Sequence, residues 1–470
     1  MRLRVTLLSL CLAPALNANA DSIHLKNGRT IIADHVRENG NRYEYDIGDD
    51  SYAIPKSAVD RVDVGGMPAH NSSSSKLADL PAFTPADSLA NEGDLVGKIT
   101  SDGKVNVDAL ASLEAKGNAE LSATADFIAG KFELEHGNIA RSRLYFENAL
   151  RFQPSNSTIL TYYAALLIRT GNASQALPYA QRAAQASPSS ADAYAMLGFA
   201  QFASDHTKDA VVSWKRSLDL RPDAAVQRLL DKAKREQNAE TDFAQNESNH
   251  FVLHYEGEQT STTLRGQILS VLESDYEDLV RDLGTPPRDN ILVTLYTQTA
   301  FFDVTHAPNW AGAIYDGKLR IPISGLTSVT PELARVLKHE LSHAFITKLS
   351  GGRCPPWLNE GVAQFLEPRN LGSNGHVLAV LFKNQQEIPL NELEGSFVQF
   401  SGSKASVAYA ESLAAVSYIN DSYGLSDIQR ILERLSQGKS TEAALRETIH
   451  SDYGQLETDL ARYLADRYGD

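Results

Sequence analysis

The chain has 470 residues, a formal net charge of -15, 42% hydrophobic and 22% charged side chains. That length exceeds one compact domain, and the composition is that of a folded globular protein. The acidic balance, with no Lys/Arg-rich run to offset it, argues against a general nucleic-acid or anionic-membrane binder.

Residues 1–20 read as an export signal: Arg2 and Arg4, an apolar run from Val5 to Leu16, then Ala18-Asn19-Ala20 before the expected new terminus at Asp21. No apolar run is long enough to span a bilayer, so no transmembrane segment is expected. The implied location is a bacterial periplasm or the extracellular space. Cys11 leaves with the signal, and Cys354 alone cannot form an intramolecular disulfide. Cys354 sits in "GGRCPPW" and reads as a turn residue, not a nucleophile.

Residues 21–65 read as a small β domain. "SIHLKNGRTIIADHV" places a KNG turn between two alternating stretches, and "RYEYDIGDDSYAIPKSAV" repeats the habit around GDD. The segment resembles the β modules that begin "IxLKNGRxI" in some secreted bacterial proteins, which implies no chemistry. Residues 66–116 are poor in large apolar side chains and read as a linker, with a brief hairpin over "GDLVGKITSDGKVNVDA".

From 117 to 238 the pattern is helical and repeats. Pro154, Pro188 and Pro222 are 34 residues apart, and each unit carries small residues at matching places. Tyr194, Leu197, Gly198, Ala210 and Trp214 mark the clearest unit. This resembles the tetratricopeptide repeat (TPR), three units and a capping helix, in which each helix pair buries its apolar face on its neighbours. The resemblance implies an all-α solenoid. Its concave face is a possible seat for a protein partner, or the solenoid packs on the next domain.

Residues 245–470 begin with a strand in "NHFVLHYEG", a helix over 262–283, a strand in "NILVTLYT" and a hairpin in "AGAIYDGKLRIPISGL" turning at Asp316-Gly317. Helices dominate afterwards. Thr330-Pro331-Glu332 starts a helix that carries "KHELSHAF". His339 and His343 are i and i+4, so both imidazoles leave one face, as two nitrogens converging on one ion require. Glu340 is offset to stand beside the metal's water. No third histidine follows closely; His376 lies in a Gly-rich stretch. In "PPWLNEGVAQFLE", Glu360 follows His343 by 17 residues, enough for a turn at Gly351-Gly352 and a returning helix.

These two stretches resemble the Glu-zincin metallopeptidases. The nearest pattern is the peptidase MA-like domain, related to the M1-type aminopeptidases. The resemblance implies one Zn²⁺ per chain on His339, His343 and Glu360, with Glu340 as general base. It also implies that the helix in "VAYAESLAAVSYINDSYG" carries an oxyanion-supporting tyrosine, matched by Tyr409 with Tyr418 in reserve. The strand at about 318–323 matches the edge beside the cleft, where a peptide can add. Glu367 falls on the face of Glu360 and either orients a ligand or is a solvated helix end. Gln364 stands where some relatives place an acidic residue. The aminopeptidases' amine-recognition loop is not recognisable, with "WAGAIYDGKL" in its place, which favours an endopeptidase. His254 reads as a strand residue and His306 as a minor cleft candidate.

The chain thus reads as multidomain: a small N-terminal beta module, an all-alpha TPR solenoid and an alpha+beta gluzincin-like metallopeptidase domain acting on a peptide or protein substrate. Two other readings stay open. One is an envelope scaffold or binding protein whose zinc domain is structural or weakly active. The other is a hydrolase of a non-peptide bond.

Overall fold

The structure is a computed structural model that describes residues 21–26, 30–33, 35–47, 50–63, 89–101, 103–257, 260–306, 312–323, 325–367, 369–397, 400 and 402–469. The export signal, most of the expected linker and the centres of the KNG and GDD turns lie outside them. The chain is multidomain, with N-terminal β elements, a helical middle and a C-terminal α+β region.

Among the described residues the N-terminal unit holds six strands: β1 (Asp21–Leu25), β2 (Thr30–Ala33), β3 (His35–Asn39), β4 (Arg42–Ile47), β5 (Asp50–Pro55) and β6 (Val59–Asp63). They form two three-stranded sheets, β2-β1-β6 and β3-β4-β5, all antiparallel. Period-2 alternation puts Ile23, paired with Ile31, fully inside.

The second unit spans 69–399 and 407–470. It starts earlier than the repeat pattern suggested. The segment expected to be linker contains α1 (Glu92–Ile99), α2 (Val107–Ala115) and, between them, a two-residue bridge of β7 (Thr100–Ser101) with β8 (Lys104–Val105). Leu95 and Ile99 form a core cluster with Ala125, Ile128 and Ala129. Few apolar residues suffice here, because α1 and α2 borrow the apolar face of α3 (Ala119–Glu135).

The helix pairs that follow are α3 with α4 (Ile139–Phe152), α5 (Ser157–Arg169) with α6 (Ala173–Ala186), and α7 (Ala191–Ala203) with α8 (Thr207–Leu220), closed by α9 (Ala224–Ala239). Asn118, Asn156, Ser190 and Asp223 cap N-termini with side-chain oxygens. Side-chain volumes explain the tight pairing. Gly130 faces Phe146 and Gly198 faces Trp214, where an added Cβ would come within 2.7 and 2.5 Å of the rings. The equivalent pair 34 residues on from the first is Ala164 and Ala180, small on both sides and fully buried. A large ring is thus matched by glycine and a small methyl by alanine, which keeps the helices at one spacing.

The α+β region is built on a five-stranded sheet of order β12-β13-β11-β10-β9. The strands are β9 (Phe243–Glu247), β10 (Phe251–Glu256), β11 (Ile291–Tyr296), β12 (Ile314–Tyr315) and β13 (Leu319–Pro322). The pairs β10–β11 and β11–β13 are parallel, with α10 (Thr262–Leu283) and α11 (Gln298–Thr305) in the connections; β9 and β12 pair antiparallel. The strand near 318–323 is therefore not the edge. The hairpin partner β12 covers it and becomes the edge itself. The polar strand β9, "FAQNE", carried no apolar alternation because it is the opposite edge, with one neighbour only.

After the sheet come α12 (Pro331–Ser350), α13 (Pro356–Leu366), α14 (Ser373–Lys383), α15 (Gly402–Tyr423), α16 (Leu425–Ser436), α17 (Thr441–Ile449) and α18 (Tyr453–Tyr468). A buried ion network joins α9 to the β12–β13 hairpin. Arg320, fully buried, reaches Glu236 of α9 at 2.8 Å and Asp316 at 2.9 Å. Asp316 also takes the Lys232 ammonium of α9 at 2.6 Å. Lys318 pairs with Glu236 and, at 2.9 Å, with Asp205 in the α7–α8 turn. His254 closes the set, its Nε2 3.1 Å from Asp205. The hairpin next to the site is thus anchored on the helical stack. Among the described residues no helix is long and apolar enough to cross a membrane.

Candidate metal centre

Helix α12 begins as its sequence dictates. Thr330 accepts from the Leu333 N–H, Pro331 occupies the first turn, and Gly351 ends the helix in the left-handed region. Helix α13 starts at Pro356 after Pro355. The chain between them is short, so α13 returns along α12. His339, His343 and Glu360 come together: one ligand atom from each lies within 4.8 Å of the other two, and all three residues are buried. His339 Nε2 stands 3.5 Å from Glu360 Oε2.

The imidazole of His343 is oriented from behind. Its Nδ1 is 2.8 Å from Asn359 Oδ1. An amide oxygen only accepts, so Nδ1 carries the proton and Nε2 keeps its lone pair for the cluster. Sequence reading passed over Asn359. The usable signal was its place in "LNE", one residue before a ligand on the same returning helix.

Glu367, at the end of α13, is buried with Oε1 3.7 Å from His339 Nδ1 and 3.6 Å from Arg369 Nε. It therefore faces the ligand histidine and is not a solvated helix end. Gln364 ties helices together: its amide donates to the Tyr409 carbonyl at 3.0 Å and to the Glu360 carbonyl at 3.3 Å. Gly361 allows this closeness. A Cβ there would lie 2.3 Å from the Ser412 carbonyl of α15.

Burial sets the protonation of the centre. It pushes the Glu340 carboxyl up to about 8, the Tyr315 backbone N–H opposing it and Glu367 and Asp316 adding to it. Glu360 is raised well above the carboxylate range, first by burial and then by Glu340 and Glu367. Both histidines fall to about 3, His339 through burial and Arg369, His343 through burial and its neighbour His339. Tyr409 is raised by burial and then by the charges of Glu360 and Glu340.

Tyr418 is elsewhere, half-buried against Tyr423 and Tyr463. His306 is exposed at the left-handed end of α11, and His254 belongs to the ion network. His376 lies in α14, not in a loop, with Nδ1 2.8 Å from the Tyr468 carbonyl. Burial and Glu360 raise the Cys354 thiol far above its ordinary value, which disfavours a thiolate.

The residues fit a cation. His343 Nε2 and Glu360 Oε2 are buried polar atoms with no hydrogen-bond partner, an arrangement that proteins rarely leave unsatisfied. Two imidazoles and one carboxylate converging in this way can hold a divalent metal ion and leave a coordination position open.

Residues 276–466 match the family model of the Peptidase MA superfamily, so a domain of that superfamily lies at the C-terminal end. No curated protein matches the chain. Among the solved structures that resemble part of it are two whose descriptions follow. One, described as "MamA MSR-1 C2", is 18% identical, with 28% of this chain and 84% of that chain covered and a TM-score of 0.24. The other, YrrB, described as "a TPR protein with an unusual peptide-binding site", is also 18% identical; 36% of this chain and 95% of that chain are covered, again at a TM-score of 0.24.

Proposed function

We propose that the C-terminal domain is a zinc-dependent peptidase, with His339, His343 and Glu360 as ligands and Glu340 as general base. The observation that carries this reading is the buried convergence of those three ligand atoms beside Glu340. The two-nitrogen, one-carboxylate donor set is the kind that catalytic zinc takes. A bound zinc ion supplies Lewis acidity and lowers the pKa of water. Glu340 accepts the proton released from the attacking water and returns it to the leaving amine. The Tyr409 hydroxyl donates a hydrogen bond to the oxygen that gains charge. Asn359 holds the His343 tautomer, and Glu367 faces the back of His339. An extended peptide would add at the edge strand β12. Cleavage at internal peptide bonds belongs to this reading, since the sequence "WAGAIYDGKL" is not of the amine-recognition kind. Kinship with the M1-type aminopeptidases, export to the periplasm or exterior, and TPR identity for the helix pairs with a protein partner on their concave face belong to the same reading.

The test is zinc content together with cleavage of a broad peptide library. One zinc per chain and turnover are expected. The Glu340→Gln variant should keep the zinc and lose turnover by at least about 100-fold. A protein that binds no zinc overturns the reading.

A second reading is a scaffold whose metal centre is structural. It is favoured by the burial of every side chain in the centre. Stoichiometric zinc without turnover on any peptide would select it.

A further inference from the structure

A cavity of about 690 Å³ lies between the helical stack and the α+β region. One wall is the start of α4, including Arg141 and Arg143, with Thr170 and Asn172 after α5. The other is Lys348 and Gly351 at the end of α12, with Ser436–Lys439 after α16. Lys348 follows His343 by five residues, about 140° around the helix, so the cavity and the metal centre use different faces of α12. At the rim the two backbones nearly touch. A Cβ on Gly438 would lie 2.4 Å from the His136 carbonyl, and one on Gly137 would lie 2.7 Å from Gly438 Cα.

The charge inside has one sign. Arg141, Arg143, Arg288, Lys348 and Lys439 line the cavity, and among the described residues no Asp or Glu does. In a chain of net charge -15 this is a local inversion. Arg141, Arg143 and Lys439 have ion pairs with Glu133, Glu147 and Glu447, which stand outside the lining. Among the described residues no carboxylate lies within ion-pair distance of Arg288 or Lys348. The Lys348 ammonium donates only to neutral oxygens, the Thr170 carbonyl at 3.1 Å and Asn172 Oδ1 at 3.2 Å. Burial lowers its proton affinity, and Arg288 and Arg143 push the same way against a partial opposition from Asp289. Cations converging in a partly dry pocket are unfavourable until an anion neutralises them.

We propose that this cavity binds a small polyanion bearing phosphate or carboxylate groups, held by Arg288 and Lys348 and bridging the helical stack and the α+β region. Its volume suits a metabolite-sized ligand and exceeds the needs of a single oxyanion. An arginine fork and a lysine point charge suit both anion types. Binding there requires neither the metal nor turnover, so the proposal stands apart from the peptidase reading.

The test titrates the full chain with pyrophosphate and with citrate by calorimetry, ionic strength held constant with sodium chloride. One saturable site is expected, and Arg288→Gln should weaken it about tenfold or more. Arg288 is exposed and its loss leaves the core intact. Lys348→Met should weaken binding likewise, with circular dichroism to check folding. Arg462→Gln, an exposed cation on α18, should bind as the unsubstituted chain does. Saturation by pyrophosphate alone assigns a phosphoryl ligand, and by citrate alone a polycarboxylate. No saturation with either probe, or equal binding by Arg288→Gln, overturns the proposal.

Discussion

Asn359 Oδ1 lies 2.8 Å from His343 Nδ1, and the two residues sit on facing helices, α13 and α12. The contact fixes which nitrogen of His343 faces the metal centre. It also places the orienting group one residue before Glu360, so one helix supplies both a candidate ligand and the support for another. Asn359→Ala should therefore keep the fold and weaken zinc binding about 10–100-fold. Competition with a chromophoric chelator measures this. Unchanged affinity would mean that His343 is held by packing alone.

Tyr409 is buried, its carbonyl accepts from Gln364 four residues after Glu360, and it is not one of the clustered residues. If its hydroxyl supports charge on the substrate oxygen, Tyr409→Phe should lower kcat about 100-fold, with KM and zinc content little changed. A loss confined to KM would assign Tyr409 to substrate binding instead.

Gly361 has a packing role that a methyl group would expose. Its Cβ would fall 2.3 Å from the Ser412 carbonyl and 2.6 Å from Val416 Cγ2. Gly361→Ala should drive α15 away from α13, destabilise the chain by about 1–3 kcal/mol and loosen the zinc. Urea unfolding with parallel metal analysis tests both effects. Equal stability would show that α15 shifts freely.

The ion network should be sensitive to acid. Burial raises Asp205, but the neighbouring His254 imidazole and the Lys318 charge outweigh it and hold the carboxyl at about 2. Glu236 is likewise raised by burial and lowered overall by Arg320 and Lys318. A folded-state value below the unfolded one stabilises at pH above about 4, and that stability is lost as pH falls toward 2. Asp205→Asn should therefore cost about 1–2 kcal/mol at pH 6, after allowance for its partial exposure, and progressively less toward pH 2. Denaturant unfolding across that range gives the comparison. A cost independent of pH would locate the effect in packing.

Zinc loading should likewise depend on pH. Without a cation Glu360 is held protonated, chiefly by burial. Loading then releases its proton, and calorimetry in buffers of different ionisation enthalpy should detect it. Identical heats in all buffers would contradict that protonation state.

The sequence by itself determined what depends on short-range spacing. A helix of 3.6 residues per turn puts His339 and His343 on one face whatever surrounds it, and Thr330-Pro331 and Pro355-Pro356 start the two helices that bring Glu360 back. The 34-residue rhythm of the prolines likewise marks the helix pairs, because each pair ends at the same kind of turn. Tertiary structure decided the rest. Asn359 matters only because α13 lies against α12, and Gly361 only because Ser412 crosses it. β12 is the sheet edge because a two-residue strand folds over β13, which no alternation in so short a stretch can announce. The helices α1 and α2 looked like linker because their apolar partners belong to α3. Glu236 and the pair Lys318 and Arg320 lie more than 80 residues apart in the chain, so only the packing of α9 on the hairpin brings them together as a buried ion network. Periodicity reports which face of an element is apolar; only the packed chain reports what that face meets.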